Sequence, residues 1–398
     1  MKLAIITSHP IQYYAPWFRY LSFQNRLKIK IFYLWNFGIS QQLDQGFGQR
    51  ICWDIPLLDG YEYEFVENTS SDPGTHHFFG LKNPTLLQQV SAYTPDAVLL
   101  LNYNYASIQR FIWSWNCRNS PLLFRGDSHR ILATNNLKEV ARCRLIAQIY
   151  QRFAAFLYVG KANYHYFRYH NVKPEKLFFA PHAVDNERFF AQTQAQQQAK
   201  LWKQELGIPQ DHSVILFAGK FEAKKRPLDL LTAFLQADLA QVSLLFVGGG
   251  ELENQLRSHS SHPHIYFAPF QNQSLMPRTY AAADVLVLPS YGSGETWGLA
   301  VNEAMCMSRP VIASTHVGCS QDLINPTQNG LVFPAGDVKA LVTSLHTVFA
   351  ERSQLPIWGA ESRRIVSHYS YAQTTQGLYS ALAYLGILKP IVEKPVLV

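Results

Sequence analysis

The sequence predicts an α/β protein of two domains, each built on a parallel sheet, and three observations carry that expectation. Short apolar runs alternate with helical stretches along almost the whole chain, and strands joined by helix crossovers pair in parallel. At 398 residues the chain is long for one core, so two domains of nearly 200 residues are the natural division. A composition of 47% hydrophobic and 16% charged residues excludes a disordered polymer.

Taken in order, the first half places buried runs at 3–7, 29–34, 97–101, 122–124, 156–159 and 177–180, with helical gaps at 83–93 and 135–153. Residues 36–80 hold many Gly, Asp and aromatic residues and read as an irregular insertion. The Gln-rich stretch 192–200 leads into Leu201, Trp202 and Leu206, and reads as a surface helix entering the second domain. Strands are then expected at 214–217, 242–247, 265–268, 285–288 and 311–313. Pro227 sits where a helix starts, since its missing N–H costs nothing there. Leu228, Leu231 and Phe234 share one face of that helix. Two more helices are expected, from 337 to about 349 and from about 371 to 385.

The five cysteines (Cys52, Cys117, Cys143, Cys306, Cys319) are odd in number and scattered, with no CxxC pair. They point to a reducing compartment. The opening MKLAIITSHP is too short an apolar run for a signal peptide and reads as a first strand. No stretch approaches the roughly 20 apolar residues of a spanning helix. A cytoplasmic protein is expected.

Residues 284–322 carry the most chemistry. A buried strand leads into a loop with Gly292 and Gly294, then a helix expected from about Trp297, then a second strand at Val311 and Ile312. A glycine-flexed loop feeding a helix N-terminus offers free N–H groups and a positive dipole end, which suits a diphosphate. Glu295 lies in the loop and Glu303 two turns further on, within reach of sugar hydroxyls. Earlier in the chain, Lys220 and Lys225 follow a strand that ends in Gly219. A basic pair at the carboxyl end of a strand is where an open α/β sheet binds ligands. It would neutralise a diphosphate as its bond to a sugar breaks. The run Gly248-Gly249-Gly250 lacks the G-x-G-x-x-G spacing and reads as a tight turn.

Ordered blocks here resemble the group-1 glycosyl transferases, retaining enzymes of the GT-B fold. These blocks are Pro289-Ser290 with Glu295, Gly298-Leu299 and Glu303; Gly219-Lys220 with Lys225-Arg226-Pro227; Val247 to Glu251; Pro181 to Asp185 with Phe189; and Gly330 to Pro334 with Gly336-Asp337. The resemblance covers residues 157 to 383. It implies two Rossmann-like domains facing a cleft: an acceptor-binding domain at 1–190, a nucleotide-sugar-binding domain at 191–370, and a crossover helix and tail at 371–398 that return to the first domain. A hinge near 185–189 and a second crossing near 367–371 follow. It also implies that Glu303 holds the nucleotide ribose and Glu295 lies by the donor sugar. Gly219, Gly294, Thr296, Trp297, Gly298 and Leu299 complete the donor site, with Glu295, Lys220, Lys225 and His129 as the catalytic set. The family usually carries arginine where this chain has Lys220, a point charge without the bidentate fork.

The N-terminal domain offers candidates near the acceptor or the donor sugar. His9 and Tyr13 follow the first strand, where many relatives have a glycine-rich loop and this chain has none. Arg125, Asp127 and His129 follow the strand at 122–124, where relatives place a histidine beside the transferred sugar; all three compete for that position. The alternative for Asp127-Ser128 is a turn or cap. His182 reads as hinge packing.

The metal expectation is none, and no cofactor: there is no Asp-x-Asp pair, and the fourteen histidines, including adjacent His76-His77, show no ligand-like cluster. Residues 1–190 carry 20 Lys+Arg against 13 Asp+Glu, whereas residues 191–398 carry 15 of each. Much of the excess is interleaved with aromatics, at 110–118 with Trp113 and Trp115 and at 142–168. It reads as a solvated basic face or as a surface for anionic lipid headgroups or an acidic acceptor. No nucleic-acid-binding module is present. The expected function is transfer of a sugar from a nucleotide-diphospho-sugar to a glycan or lipid-linked acceptor, in cell-surface polysaccharide or glycolipid assembly. The alternatives are a nucleotide-sugar epimerase or phosphorylase on the same fold, and a non-catalytic binding protein.

Overall fold

The computed structural model describes residues 1–44, 46–131 and 137–389. Positions 135–136 of one expected helix and the tail beyond 389 lie outside the described residues. The strands are β1 (Lys2–Thr7), β2 (Lys28–Tyr33), β3 (Gln42–Asp44), β4 (Gln49–Ile51), β5 (Glu62–Phe65), β6 (Ala97–Leu100), β7 (Leu122–Gly126), β8 (Phe153–Tyr158) and β9 (Leu177–Phe179) in the first half. The second half holds β10 (Ser213–Lys220), β11 (Val242–Gly249), β12 (Ile265–Ala268), β13 (Val285–Leu288), β14 (Val311–Ser314) and β15 (Gly330–Phe333). They form a seven-stranded sheet of order β5-β2-β1-β6-β7-β8-β9 and a six-stranded sheet of order β12-β11-β10-β13-β14-β15. Every pairing in both is parallel. The fold is GT-B, two Rossmann-like domains, as expected.

Parallel strands are covered on both faces, which is why the apolar runs are nearly continuous. In β1, Leu3 and Ile5 point to one face and pack with Trp17, Phe18 and Ile31, while Ala4 and Ile6 point to the other and pack with Phe32 and Val98. Each sheet reverses its strand order once, at β1/β6 and at β10/β13, the crevice where such sheets bind ligands.

Three departures from the sequence expectations matter. Residues 36–80 are not wholly irregular: they contain the antiparallel hairpin β3–β4 and the edge strand β5. The helix expected from Trp297 spans Leu299–Cys306, because Gly298 takes the left-handed conformation (φ +98°) and starts it late. Within the basic-aromatic segments, Trp115 is buried and stacks on Phe111, and Arg152 is tied to the carbonyls of Ile112 and Trp115. That patch is smaller than composition implies, although Trp113 and Leu145 stay exposed.

The last helix, Tyr371–Tyr384, returns to the N-terminal domain. Leu378 and Leu382 are fully buried in the layer that covers Leu3 and Ile5, and Trp17 donates its indole N–H to Thr375 at 3.1 Å. Gly377 lets the helix touch β9, since a Cβ there would overlap the Phe179 carbonyl. Opposite the crossings, the hairpin and the residues after it reach the C-terminal domain. Phe47 meets the Phe270 ring at 4.7 Å, Asn272 donates to the Cys52 carbonyl at 2.7 Å, and Ser274 bonds Asp54. No helix among the described residues is long and apolar enough to cross a membrane.

Candidate active site

A cleft of about 450 Å³ lies between the domains and is lined from both. On its C-terminal side β10 ends at Gly219 and Lys220, next to the loop that follows β13. Gly219 (φ +152°) has open space where a side chain would stand, so its backbone faces the cleft. A Cβ on neighbouring Gly248 would overlap the Gly219 carbonyl, so the two strand ends meet backbone to backbone. Gly298, Leu299 and Ala300, at the start of the Leu299–Cys306 helix, line the same cleft, and the first N–H groups of a helix have no partner in the turn before them.

Both lysines are neutralised by carboxylates. Lys220 Nζ lies 2.8 Å from Asp44 Oδ1, contributed across the cleft by the hairpin, and 5.0 Å from the Phe47 ring. Lys225 Nζ pairs with Glu295, whose same oxygen accepts from Ser290 at 3.0 Å. Glu303 is only 2% exposed. Its carboxylate accepts from the Tyr280 hydroxyl at 2.7 Å and from Tyr13, on the opposite domain, at 3.2 Å. Burial pushes its pKa up, against the pull of the Tyr280 bond and the Arg188 charge.

The N-terminal candidates separate into two groups. Tyr13 and Asp127 line the cleft. Asp127 accepts from the Thr296 hydroxyl at 2.7 Å and faces His182 Nε2 at 3.4 Å, bridging the domains. Burial alone would raise its pKa; the neighbouring His182, the Thr296 hydroxyl bond and the Arg125 charge hold it at about 2. His9 turns aside into an aromatic box, edge-on to Trp35 and Phe37, and burial lowers its pKa to about 4. Arg125 is buried and ties the chain after β9, with Nη atoms on the Ala180 and Pro181 carbonyls and on the Tyr14 hydroxyl. His129 is buried beside the Asp127 and Glu295 charges, its Nδ1 accepting from the Ile131 N–H at 3.3 Å. None of these three lines the cleft. Thr296 and Trp297 line it but face the opposite domain: the Trp297 ring sits 5.7 Å from His182 and donates its N–H to Asn302 at 2.8 Å.

Residues 198–369 match the family of glycosyl transferases group 1. The chain carries a group 1 glycosyltransferase domain. It is 30% identical over 166 residues to the sulfoquinovosyl transferase of Arabidopsis thaliana, across 41% of this chain and 31% of that protein. It is 28% identical over 188 residues to the phosphatidyl-myo-inositol mannosyltransferase of Mycobacterium leprae, across 45% of this chain and 50% of that one. The chain thus spans about half or less of the curated relatives it matches. Among solved structures, Anabaena HepE in complex with UDP-glucose superposes with a TM-score of 0.71 at 17% identity, covering 98% of this chain and 100% of that one. At that identity the likeness is one of fold.

The group 1 domain supplies Lys220, Lys225, Glu295 and Glu303, the residues legible from spacing. Sequence reasoning missed Asp44, Tyr280, Arg188 and the aromatic lining of Phe47, Trp53 and Phe270. Asp44 did carry a signal: its side chain accepts from the N–H groups of Gly46 and Phe47, the turn chemistry of an Asp two residues before glycine. Tyr280 carried none, being one aromatic in a short helix (Met276–Ala281).

The Asp127 bridge to the group 1 domain makes a test in acid. A carboxyl whose folded pKa is depressed contributes stability above its unfolded value, lost as pH falls through the folded one. That window runs from about 4 down to about 2. With its side chain 40% exposed, the contribution is screened to about 1 kcal/mol or less. Asp127→Asn should flatten that part of the stability–pH curve measured by urea melts; an unchanged curve would remove Asp127 from the bridge.

Proposed function

We propose that the protein moves a sugar from a nucleotide-diphospho-sugar to a glycan or lipid-linked acceptor, with retention of configuration and without a metal, in cell-surface polysaccharide or glycolipid assembly. The observation that carries this reading is the convergence of Lys220, Lys225, Glu295 and Glu303 at the strand-order reversal of one interdomain cleft. Glu303 takes the ribose hydroxyls, exchanging its tyrosine bonds for them. The diphosphate lies against Gly219 and the helix N-terminus, and the two lysine ammonium groups meet the charge that grows on it as the sugar leaves. The acceptor hydroxyl attacks from the face the diphosphate departs, its proton passes to a diphosphate oxygen, and positive charge on the sugar is held between the domains. A relative named for phosphatidyl-myo-inositol supports a lipid-linked acceptor.

The deciding experiment is a thermal-shift panel of UDP-, GDP-, ADP- and TDP-sugars. A ligand at 100 times its Kd stabilises by about 2.7 kcal/mol. One nucleotide should raise Tm and its sugar conjugate should hydrolyse slowly without acceptor; no shift with any of them sinks the reading. EDTA should leave transfer nearly unchanged, and complete, reversible loss would overturn the metal-free course.

The exposed Trp113 and Leu145, with exposed Arg142 and Arg144, support peripheral contact with an anionic membrane. The full chain should co-sediment with anionic vesicles at low salt and release at high salt, where the Debye length shrinks from about 10 Å to about 3 Å. Indifference to anionic vesicles at low salt would favour a soluble glycan acceptor.

A further inference from the structure

Outside the cleft, one group of side chains has no part in the proposed chemistry. Asp72, His76 and His77 lie on the loop between β5 and the helix Leu86–Tyr93. The Nε2 atoms of His76 and His77 approach the same carboxylate oxygen of Asp72, at 3.1 and 3.3 Å, and all three ligand atoms lie within 4.8 Å of one another. This corrects the sequence expectation that His76-His77 is not part of a ligand-like cluster. The third donor comes from four residues upstream, folded back by Pro73-Gly74.

We propose that Asp72, His76 and His77 form a binding site for a divalent transition metal of the zinc type, which fastens this loop. Tetrahedral zinc, with bonds of about 2.0–2.2 Å to nitrogen and oxygen, sets its ligand atoms about 3.3 Å apart. The two measured separations match that edge. Two imidazoles and one carboxylate suit zinc, cobalt or nickel; magnesium and calcium prefer oxygen ligands throughout.

The loop is already shaped for it. Gly80 abuts Gly74 so closely that a Cβ would overlap the Gly74 carbonyl, and the Gly74 N–H donates to the Gly80 carbonyl at 3.1 Å. The Ser70 hydroxyl lies 2.8 Å from the Phe79 carbonyl and 3.2 Å from that of Asp72. Asn68 Oδ1 accepts from the N–H groups of Ser70 and Lys82 and closes the loop at its base. Gly74 leaves room for the His76 ring, whose Nδ1 stands where a Cβ would otherwise intrude. A loop held by these backbone bonds loses little further entropy when a metal joins its ligands. Three protein ligands leave a fourth position for water.

The test uses the tag-free full chain, stripped with EDTA and then titrated with CoCl2, followed by visible absorption, and with ZnCl2 by calorimetry. One site should fill in the wild type, showing the four-coordinate cobalt spectrum, and disappear in the H76A–H77A double variant. Asp72→Asn should weaken it at least ~10-fold, the lower end of what even outer-shell changes cost. His262 and His264, whose rings lie 5.5 Å apart near His212, are the competing surface histidines. The H262A–H264A variant should therefore titrate like wild type. MgCl2 should not compete, and sugar transfer should be the same with and without zinc. Equal zinc stoichiometry in the wild type and the H76A–H77A variant would overturn the assignment, as would loss of the site in the H262A–H264A variant. The Asp72, His76 and His77 side chains are 35–69% exposed, so loss of fold does not confound their substitution.

Discussion

Glu303→Ala should lower kcat/KM for the nucleotide-sugar about 10- to 150-fold, the effect of losing roughly 1.5–3 kcal/mol of charge-assisted hydrogen bonding. The variant also loses stability, because two tyrosine hydroxyls at a buried site lose their acceptor. That cost is about 1–3 kcal/mol. A helix-surface carboxylate would cost far less, and its 2% exposure places this one elsewhere. Glu303→Gln separates the two effects: the amide oxygen still accepts from one tyrosine, so Tm recovers more than activity does. Steady-state kinetics at saturating acceptor, with parallel melts, decide it. Near wild-type kcat/KM in both variants would remove Glu303 from the donor site.

The second large effect is expected at the lysines. Lys225→Ala should depress kcat about 10- to 100-fold, since its charge matters most when the diphosphate leaves. Asp44→Asn should act in the opposite direction. Asp44 neutralises Lys220, so on the proposed reading a diphosphate displaces a carboxylate before it gains that charge. Removing the competitor should lower the donor KM by up to about 10-fold, or roughly 1.4 kcal/mol. A raised KM in Asp44→Asn would mean instead that the carboxylate orients Lys220 for the donor. Unchanged kcat in Lys225→Ala would place the leaving group away from that side chain.

How much of this was legible from the chain follows from what kind of contact each residue makes. β10 and β13 announce themselves because buried parallel strands are apolar throughout, and the turns after them carry glycine at fixed distances from Lys220 and Glu295. Those are local facts, and spacing records them. Asp44 on Lys220, Tyr13 and Tyr280 on Glu303, and Thr296 on Asp127 join residues that are distant in sequence, some of them on opposite domains. No period or motif encodes such a meeting. His9 and Arg125 show the converse. Both lie near strand ends at the ligand-binding edge, His9 just after β1 and Arg125 near the end of β7, yet packing claims them, His9 for the Trp35–Phe37 box and Arg125 for the carbonyls after β9.

The returning helix Tyr371–Tyr384 imposes an order on the protein's synthesis. Its buried leucines complete the layer over β1, so the N-terminal sheet lacks part of its cover until residues 371–384 emerge. At about 5–20 residues per second, the roughly 190 residues between β9 and that helix take on the order of 10–40 s to make. During that interval the apolar face around Leu3, Ile5 and Trp17 is open to water and to other chains. Two halves expressed separately lack the covalent link that brings this layer into place.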